Sequence, residues 1–232
     1  KKSFIYWIFK TMKKDEIIKC IHKHGVVSNM MLKNQIYGVM HYLNDVLESG
    51  LEGDIVELGC NVGTTSLYIR RLLEHEHSDK FFHVYDSWKG LPDKRKEDID
   101  NTKKIQFRTG SCKTTKDRFV YQFNKNNLKV PIIHSGWFKE IPDEEYPEKI
   151  CFAFLDGDFY SSIMDSLDKI YHKMVKGGII IIDDCGWDVL PGCKKAVEDF
   201  LNDKKESLEH NGYPDIYFNF GQSHCGGKIV KL

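Results

Sequence analysis

Ile150-Cys-Phe-Ala-Phe-Leu-Asp-Gly-Asp158 and Gly178-Ile-Ile-Ile-Ile-Asp-Asp184 decide the fold of this 232-residue chain. Each is a short apolar run that ends in two acids. Neither alternates apolar with polar residues, so neither has a solvent face. Strands buried on both faces belong to parallel sheets covered by helices. The segment between them reads as a helix, because Ile163, Leu167, Ile170 and Met174 recur at spacings of four, three and four on one stripe. Ser161 or Ser162 can cap it, and Lys176-Gly177-Gly178 would terminate it. A right-handed crossover through that helix makes the two strands parallel.

The same alternation runs back toward the N-terminus. Asp54-Ile-Val-Glu-Leu-Gly59 reads as a strand, Thr64 to Leu73 as a helix and Lys80-Phe-Phe-His-Val-Tyr85 as a second strand. Lys113 to Asn124 then reads as a helix and Val130-Pro-Ile-Ile-His134 as a third strand. The tail, Ile216-Tyr-Phe-Asn-Phe220 followed by Gly226 to Leu232, looks like a closing antiparallel hairpin. The expected fold is therefore α/β, a doubly wound Rossmann-like sheet with a C-terminal antiparallel hairpin and extra N-terminal helices. Residues 51–232 would form the main domain, and residues 1–50 a helical cap that serves dimerisation or acceptor binding.

Composition narrows the function. The 34 Lys and Arg balance 34 Asp and Glu, so no global field attracts nucleic acid or an anionic membrane. A hydrophobic content of 41% with 12% aromatic residues excludes a disordered chain. No apolar stretch approaches the ~20 residues that span a bilayer. Phe4-Ile-Tyr-Trp-Ile-Phe9 is too short for a signal peptide's apolar core and reads as a helix packed on the domain or on a second copy in a homodimer. Seven cysteines, an odd number with no C-x-x-C pair, indicate a reducing compartment and hence a cytoplasmic protein. A start at Lys1 rather than Met makes this a candidate domain of a longer glycan-modifying polypeptide.

In a doubly wound sheet, ligands bind outside the carboxyl ends of the strands. Glu57-x-Gly59-x-Asn61-x-Gly63 follows the first strand and opens a helix, with Gly59 and Gly63 free to approach a ligand closely. Taken alone, it is also the pattern of a tight strand-to-helix turn. Asp86 ends the second strand, where a carboxylate can accept hydrogen bonds from both hydroxyls of a ribose. Asp156, Asp158, Asp183 and Asp184 should converge at two adjacent strand tips, since neighbouring strands lie ~4.8 Å apart. Four clustered carboxylates repel one another unless they hold protons or a cation. All-oxygen ligands suit a hard ion, Mg2+ or Ca2+, better than zinc.

Glu57-Leu-Gly-Cys-Asn-Val-Gly63 resembles the first S-adenosylmethionine motif of class I methyltransferases. Val84-Tyr-Asp-Ser-Trp-Lys-Gly-Leu-Pro92, Leu155-Asp-Gly-Asp-Phe-Tyr-Ser-Ser-Ile-Met-Asp165, Gly178 to Gly186 and Pro191 to Phe200 resemble the macrocin O-methyltransferase family. The resemblance implies a metal-dependent enzyme that methylates a sugar hydroxyl, free or in a glycan. It implies that Glu57, Gly59, Asn61, Gly63 and Thr64 surround the methionine part of the cofactor. Asp86 and Ser87 would hold the ribose, Ser135-Gly136-Trp137 would border the adenine, and Asp156 would close the cofactor site. It further implies Mg2+, or another divalent cation, on Asp156, Asp183 and Asp184, with Asp158 as general base. The first 50 residues match the family poorly.

Methyl transfer from a sulfonium is an in-line displacement, so the acceptor oxygen must be aligned with the methyl carbon. A sugar hydroxyl holds its proton far more tightly than a carboxylic acid, so an aspartate of ordinary pKa needs help from a cation on the same hydroxyl. The same chemistry on a catechol-like diol, a nicotinamide dehydrogenase and a non-catalytic binding module are the alternatives. The Glu57 pattern and the four aspartates argue against the last two. His75-Glu76-His77 and His22-Lys23-His24 lack a second ligand cluster, Cys60 and Cys185 read as packing residues, and Trp187 and His224 are positioned to line an acceptor pocket.

Overall fold

Five parallel strands form the spine of the molecule, and the computed structural model describes residues 12–100, 107–210 and 226–232. The elements in chain order are α1 (Lys14–His24), α2 (Lys33–Glu48), β1 (Asp54–Leu58), α3 (Thr64–His75) and β2 (Phe82–Asp86). Then come α4 (Lys116–Lys125), β3 (Ile132–Ser135), β4 (Ile150–Leu155), α5 (Tyr160–Ile170) and β5 (Met174–Ile182). The chain closes with α6 (Pro191–Leu201), β6 (Glu209–His210) and β7 (Gly227–Val230). The sheet order is β3-β2-β1-β4-β5-β7-β6, with β7 antiparallel to β5 and β6 antiparallel to β7. The antiparallel end expected at the C-terminus is present, although its described first arm is Glu209–His210. The expected arm Ile216–Phe220, the Phe4–Phe9 segment and His224 lie outside the described residues.

The unbroken apolar runs are explained by helices on both faces. Ile55, Phe152, Phe154 and Ile181 share a core with α1, α2, α3 and α4. Val56, Leu58, Ala153, Leu155, Ile180 and Ile182 pack against α5 and α6. Each large aliphatic side chain buried this way contributes about 1.5–3 kcal/mol. Ile17, Ile21, Ile36, Met40 and Leu43 belong to the first of these cores, so the N-terminal helices are packed onto the sheet rather than appended to it. Outward travel along the sheet reverses between β1 and β4, which leaves a crevice at their carboxyl ends.

The α5 segment departs from the sequence pattern at both ends. Ile163, Leu167 and Ile170 do form one buried stripe, but the helix stops at Ile170 and Met174 opens β5. Gly177 and Gly178 lie within β5, where Ile150 pairs with Met174 and Phe152 with Ile179. Five residues of β5 therefore span two of β4, and the glycines absorb that bulge. Gly177 has φ of +82°, and a Cβ on Gly178 would lie 2.9 Å from the Val175 carbonyl oxygen. Ser161 and Ser162 fall inside the helix, and Phe159 occupies its extended cap position.

The missing cap comes from elsewhere in the chain. The Tyr160 amide donates to Asp98 Oδ1 at 2.7 Å, and the Arg95 amide donates to Asp98 Oδ2 at 2.9 Å. Asp98 is 2% exposed, and a Cβ on Gly192 at the start of α6 would lie 1.8 Å from Asp98 Oδ1. One carboxylate thus ties the 93–98 loop to the starts of α5 and α6. Asp98→Ala is expected to lower unfolding free energy by about 1–3 kcal/mol, because a buried amide donor loses its partner. Asp98→Asn, which keeps one acceptor oxygen, should lose less. Urea denaturation curves that coincide for wild type and both variants would contradict this role.

Candidate active site

The crevice opens into a cavity of about 610 Å³ lined by the loops that follow β1, β2, β3, β4 and β5. That volume suits a ligand of cofactor size. Glycine is required at its floor. Gly59 has φ of +93°, and a Cβ there would lie 2.0 Å from the Asp156 carbonyl oxygen. Asn61 takes the left-handed conformation at φ of 44°, which asparagine tolerates better than most residues. The loop therefore turns at Asn61 without a glycine there. Its Nδ2 donates to the Cys112 carbonyl at 2.6 Å, which pins the 107–112 loop over the cavity.

Asp86 knits the glycine loop to the tip of β2. Its Oδ2 accepts from the backbone amides of Cys60 at 3.1 Å and Asn61 at 2.9 Å, and its Oδ1 accepts from the Trp88 amide at 2.7 Å. Burial raises its pKa, and these three donors oppose the rise. The carboxylate still lines the cavity, beside Ser87, Gly136 and Trp137.

Asp156, Asp158, Asp183 and Asp184 also line the cavity, as the adjacent strand tips required. One oxygen from each of Asp156, Asp158 and Asp184 lies within 4.8 Å of the others. The ligand set implied by the family resemblance had Asp183 in place of Asp158. Asp183 lines the same cavity, and Gln35 of α2 donates from Nε2 to its Oδ1 at 2.8 Å and its Oδ2 at 3.0 Å. Burial and then the charge of Asp183 push Asp156 and Asp184 well above the usual carboxylate range. The same two causes raise Asp158 to about 7. Asp158 and Asp184 share a hydrogen bond that favours the ionised form of Asp158 and the protonated form of Asp184. Both sit at left-handed backbone positions, with φ of 60° and 54°. The neighbouring charges acting most strongly on the cluster are other acids, and its donors are all oxygen. Such a set fits a hard divalent cation, which would take the place of the retained protons.

Four residues expected at the cofactor lie outside the cavity wall. Glu57 faces the α3 side of the sheet, where Ser66 Oγ donates to its Oε2 at 2.5 Å. Gly63 has a packing role, since a Cβ there would meet the Phe119 ring at 2.9 Å. Thr64 is buried at the start of α3, and Ser135 Oγ accepts from the Trp88 indole at 2.9 Å. Trp187 lines the cavity, as its position suggested. The wall also includes Asn29, Met30, Leu91, Phe107 and Ser111. Leu91 and Pro92 lay within a quoted motif, whereas nothing in the residue pattern marked Asn29, Met30 or Gln35. Cys60 and Cys185 are buried packing residues, and no His75 or His22 metal cluster occurs among the described residues.

The macrocin-O-methyltransferase (TylF) family model matches residues 13–211. Demethyldecarbamoylnovobiocin O-methyltransferase of Streptomyces niveus is 26% identical over 182 residues, covering 76% of this chain and 67% of that protein. The 8-demethyl-8-(2,3-dimethoxy-alpha-L-rhamnosyl)-tetracenomycin-C 4'-O-methyltransferase of Streptomyces olivaceus is 26% identical over 181 residues, covering 76% of this chain and 68% of that protein. Among solved structures, the O-methyltransferase NovP superposes with a TM-score of 0.70 at 22% identity, covering 88% of this chain and 81% of that one. The last likeness concerns the fold.

Burial raises Glu57 to about 8 from its ordinary value of 4.5. Between those values the folded state keeps a proton that the unfolded state has lost, so this residue's contribution to stability falls as pH rises. Glu57→Gln removes that titration. Its stability relative to wild type should improve from about pH 5 to about pH 8, which paired thermal melts would measure. A difference that is constant across that range would contradict a neutral, buried Glu57.

Proposed function

The chain belongs to the macrocin O-methyltransferase family, and from that premise we propose that it methylates a hydroxyl of a sugar carried on a larger glycoside, with a divalent cation at the strand-tip aspartates. It is an S-adenosylmethionine-dependent O-methyltransferase. The observation that carries the finer reading is the convergence of Asp156, Asp158 and Asp184 on the wall shared with Gly59 and Asp86. A sugar-bearing acceptor is supported by the relative named for 4'-O-methylation of a rhamnosyl tetracenomycin. Among the described residues, no helix is long and apolar enough to cross a membrane.

The residues divide the work by position. Gly59 and Asn61 offer backbone to the methionine end of the cofactor, Asp86 and Ser87 its ribose, and Gly136 and Trp137 its adenine. Asp156, Asp183 and Asp184 would hold the cation. When bound, the cofactor supplies an electrophilic methyl group and the cation supplies Lewis-acid polarisation of the acceptor oxygen. Asp158 lies on the same wall and accepts the hydroxyl proton at its carboxylate as the oxygen attacks. A carboxylate raised toward neutrality by its surroundings is better matched to that task than one of ordinary pKa. Leu91, Phe107 and Trp187 give the cavity an apolar wall that would limit water around a bound acceptor.

Asp158→Asn keeps the size of the side chain and removes the base. Turnover on a glycoside acceptor should fall by about 100-fold or more, with affinity for S-adenosylhomocysteine within about twofold of wild type. Undiminished turnover would eliminate Asp158 as the base. Exhaustive chelation should abolish turnover and Mg2+ should restore it. Full activity after chelation would count against the cation.

A further inference from the structure

Gln35 stands apart from the site's other polar residues because it comes from α2, far in sequence from the strand tips that carry the acids. The family match over residues 13–211 includes it, which corrects the expectation that the first 50 residues match poorly. It is 1% exposed, and it spans two fixed partners. The Leu32 amide donates to Gln35 Oε1 at 2.7 Å. That bond settles which way the side-chain amide points, since only the NH2 end can then face Asp183. Nε2 reaches both oxygens of the Asp183 carboxylate, at 2.8 Å and 3.0 Å. The partnership crosses 148 positions of sequence and joins the first turn of α2 to the tip of β5.

An amide clamped in this way restricts rotation of the carboxylate, so the lone pairs that remain point in a fixed direction. Asp183 lines the same cavity as Asp156, Asp158 and Asp184, so its direction decides what the four acids can present together. Packing alone does not explain a buried glutamine here, since an apolar residue of similar volume would fill the space without needing polar partners. We propose that Gln35 is a positioning residue for the cation site, holding Asp183 aimed through an amide whose orientation the Leu32 backbone fixes. The proposal rests on the cation-dependent reading above and assigns part of the site's affinity to the N-terminal helices.

Calorimetric titration of Mg2+ and, separately, of S-adenosylhomocysteine without metal tests this in wild type, Gln35→Met and Gln35→Ala. Partners of this kind typically contribute about 10- to 100-fold to metal affinity. Both variants should therefore bind Mg2+ about 10- to 100-fold more weakly, with homocysteine-adduct affinity within about twofold of wild type. Wild-type Mg2+ affinity in either variant that still binds S-adenosylhomocysteine would overturn the proposal. Parallel loss of both ligands in both variants would also overturn it, by making Gln35 a general packing residue. Absence of Mg2+ binding in the wild type would instead overturn the cation-dependent reading, and would be seen before any variant is examined.

Discussion

Repulsion among four carboxylates is the constraint around which this molecule is organised. Adjacent parallel strands deliver Asp156 and Asp158 at one tip and Asp183 and Asp184 at the next. The protein reduces the cost in three ways. Burial and the neighbouring acids favour the protonated form of Asp184, which hydrogen-bonds Asp158; Gln35 donates to Asp183; and left-handed turns at Asp158 and Asp184 set where the side chains emerge. These compensations sit at the end of a rigid sheet whose faces are both packed. The strain is therefore not relieved by moving the backbone, and a ligand that neutralises the charge meets a prepared surface.

The glycine loop answers a different demand at the same crevice. Gly59 lets β1 come against the Asp156 backbone, so the floor for a cofactor and the first acid of the cluster are fixed to one another. Asp86 then ties that loop to β2 through the backbone amides of Cys60 and Asn61. Asn61 reaches across to Cys112 and secures the opposite wall. The in-line geometry of methyl transfer tolerates little error, and a network of backbone-anchored bonds holds position better than exposed side chains would.

Legibility in the sequence followed burial. Strands buried on both faces announced themselves as unbroken apolar runs, so the parallel relation of β4 and β5 and the meeting of their terminal acids were legible, whereas the place of β4 beside β1 was not. The glycine pattern was read correctly as a loop but not residue by residue. Gly59 serves the cavity, whereas Gly63 makes room for Phe119 of α4, and that distinction depends on a distant helix. Glu57 looked like a cofactor residue because it precedes the loop, yet strand alternation turns it to the α3 side. The α5 boundaries failed for the same reason. Its cap comes from Asp98, and its expected glycine terminator is a bulge in β5, so neither signal was local.

The neutral net charge conceals how the N-terminal helices earn a place in the catalytic unit. Residues 14–48 pack their apolar faces into the core beneath β1 and β4, which fixes α2 in height and rotation relative to the sheet. That placement aims Gln35 at Asp183, while the segment between α1 and α2 brings Asn29 and a 52% exposed Met30 to the cavity wall. Asn29 and Met30 can vary without disturbing the strand-tip acids, which belong to other elements. Variation there changes what sits beside the acids, and the acids themselves stay tied to the sheet. Acids carried by strand ends and part of the cavity wall carried by a separate helical layer is the division this architecture permits.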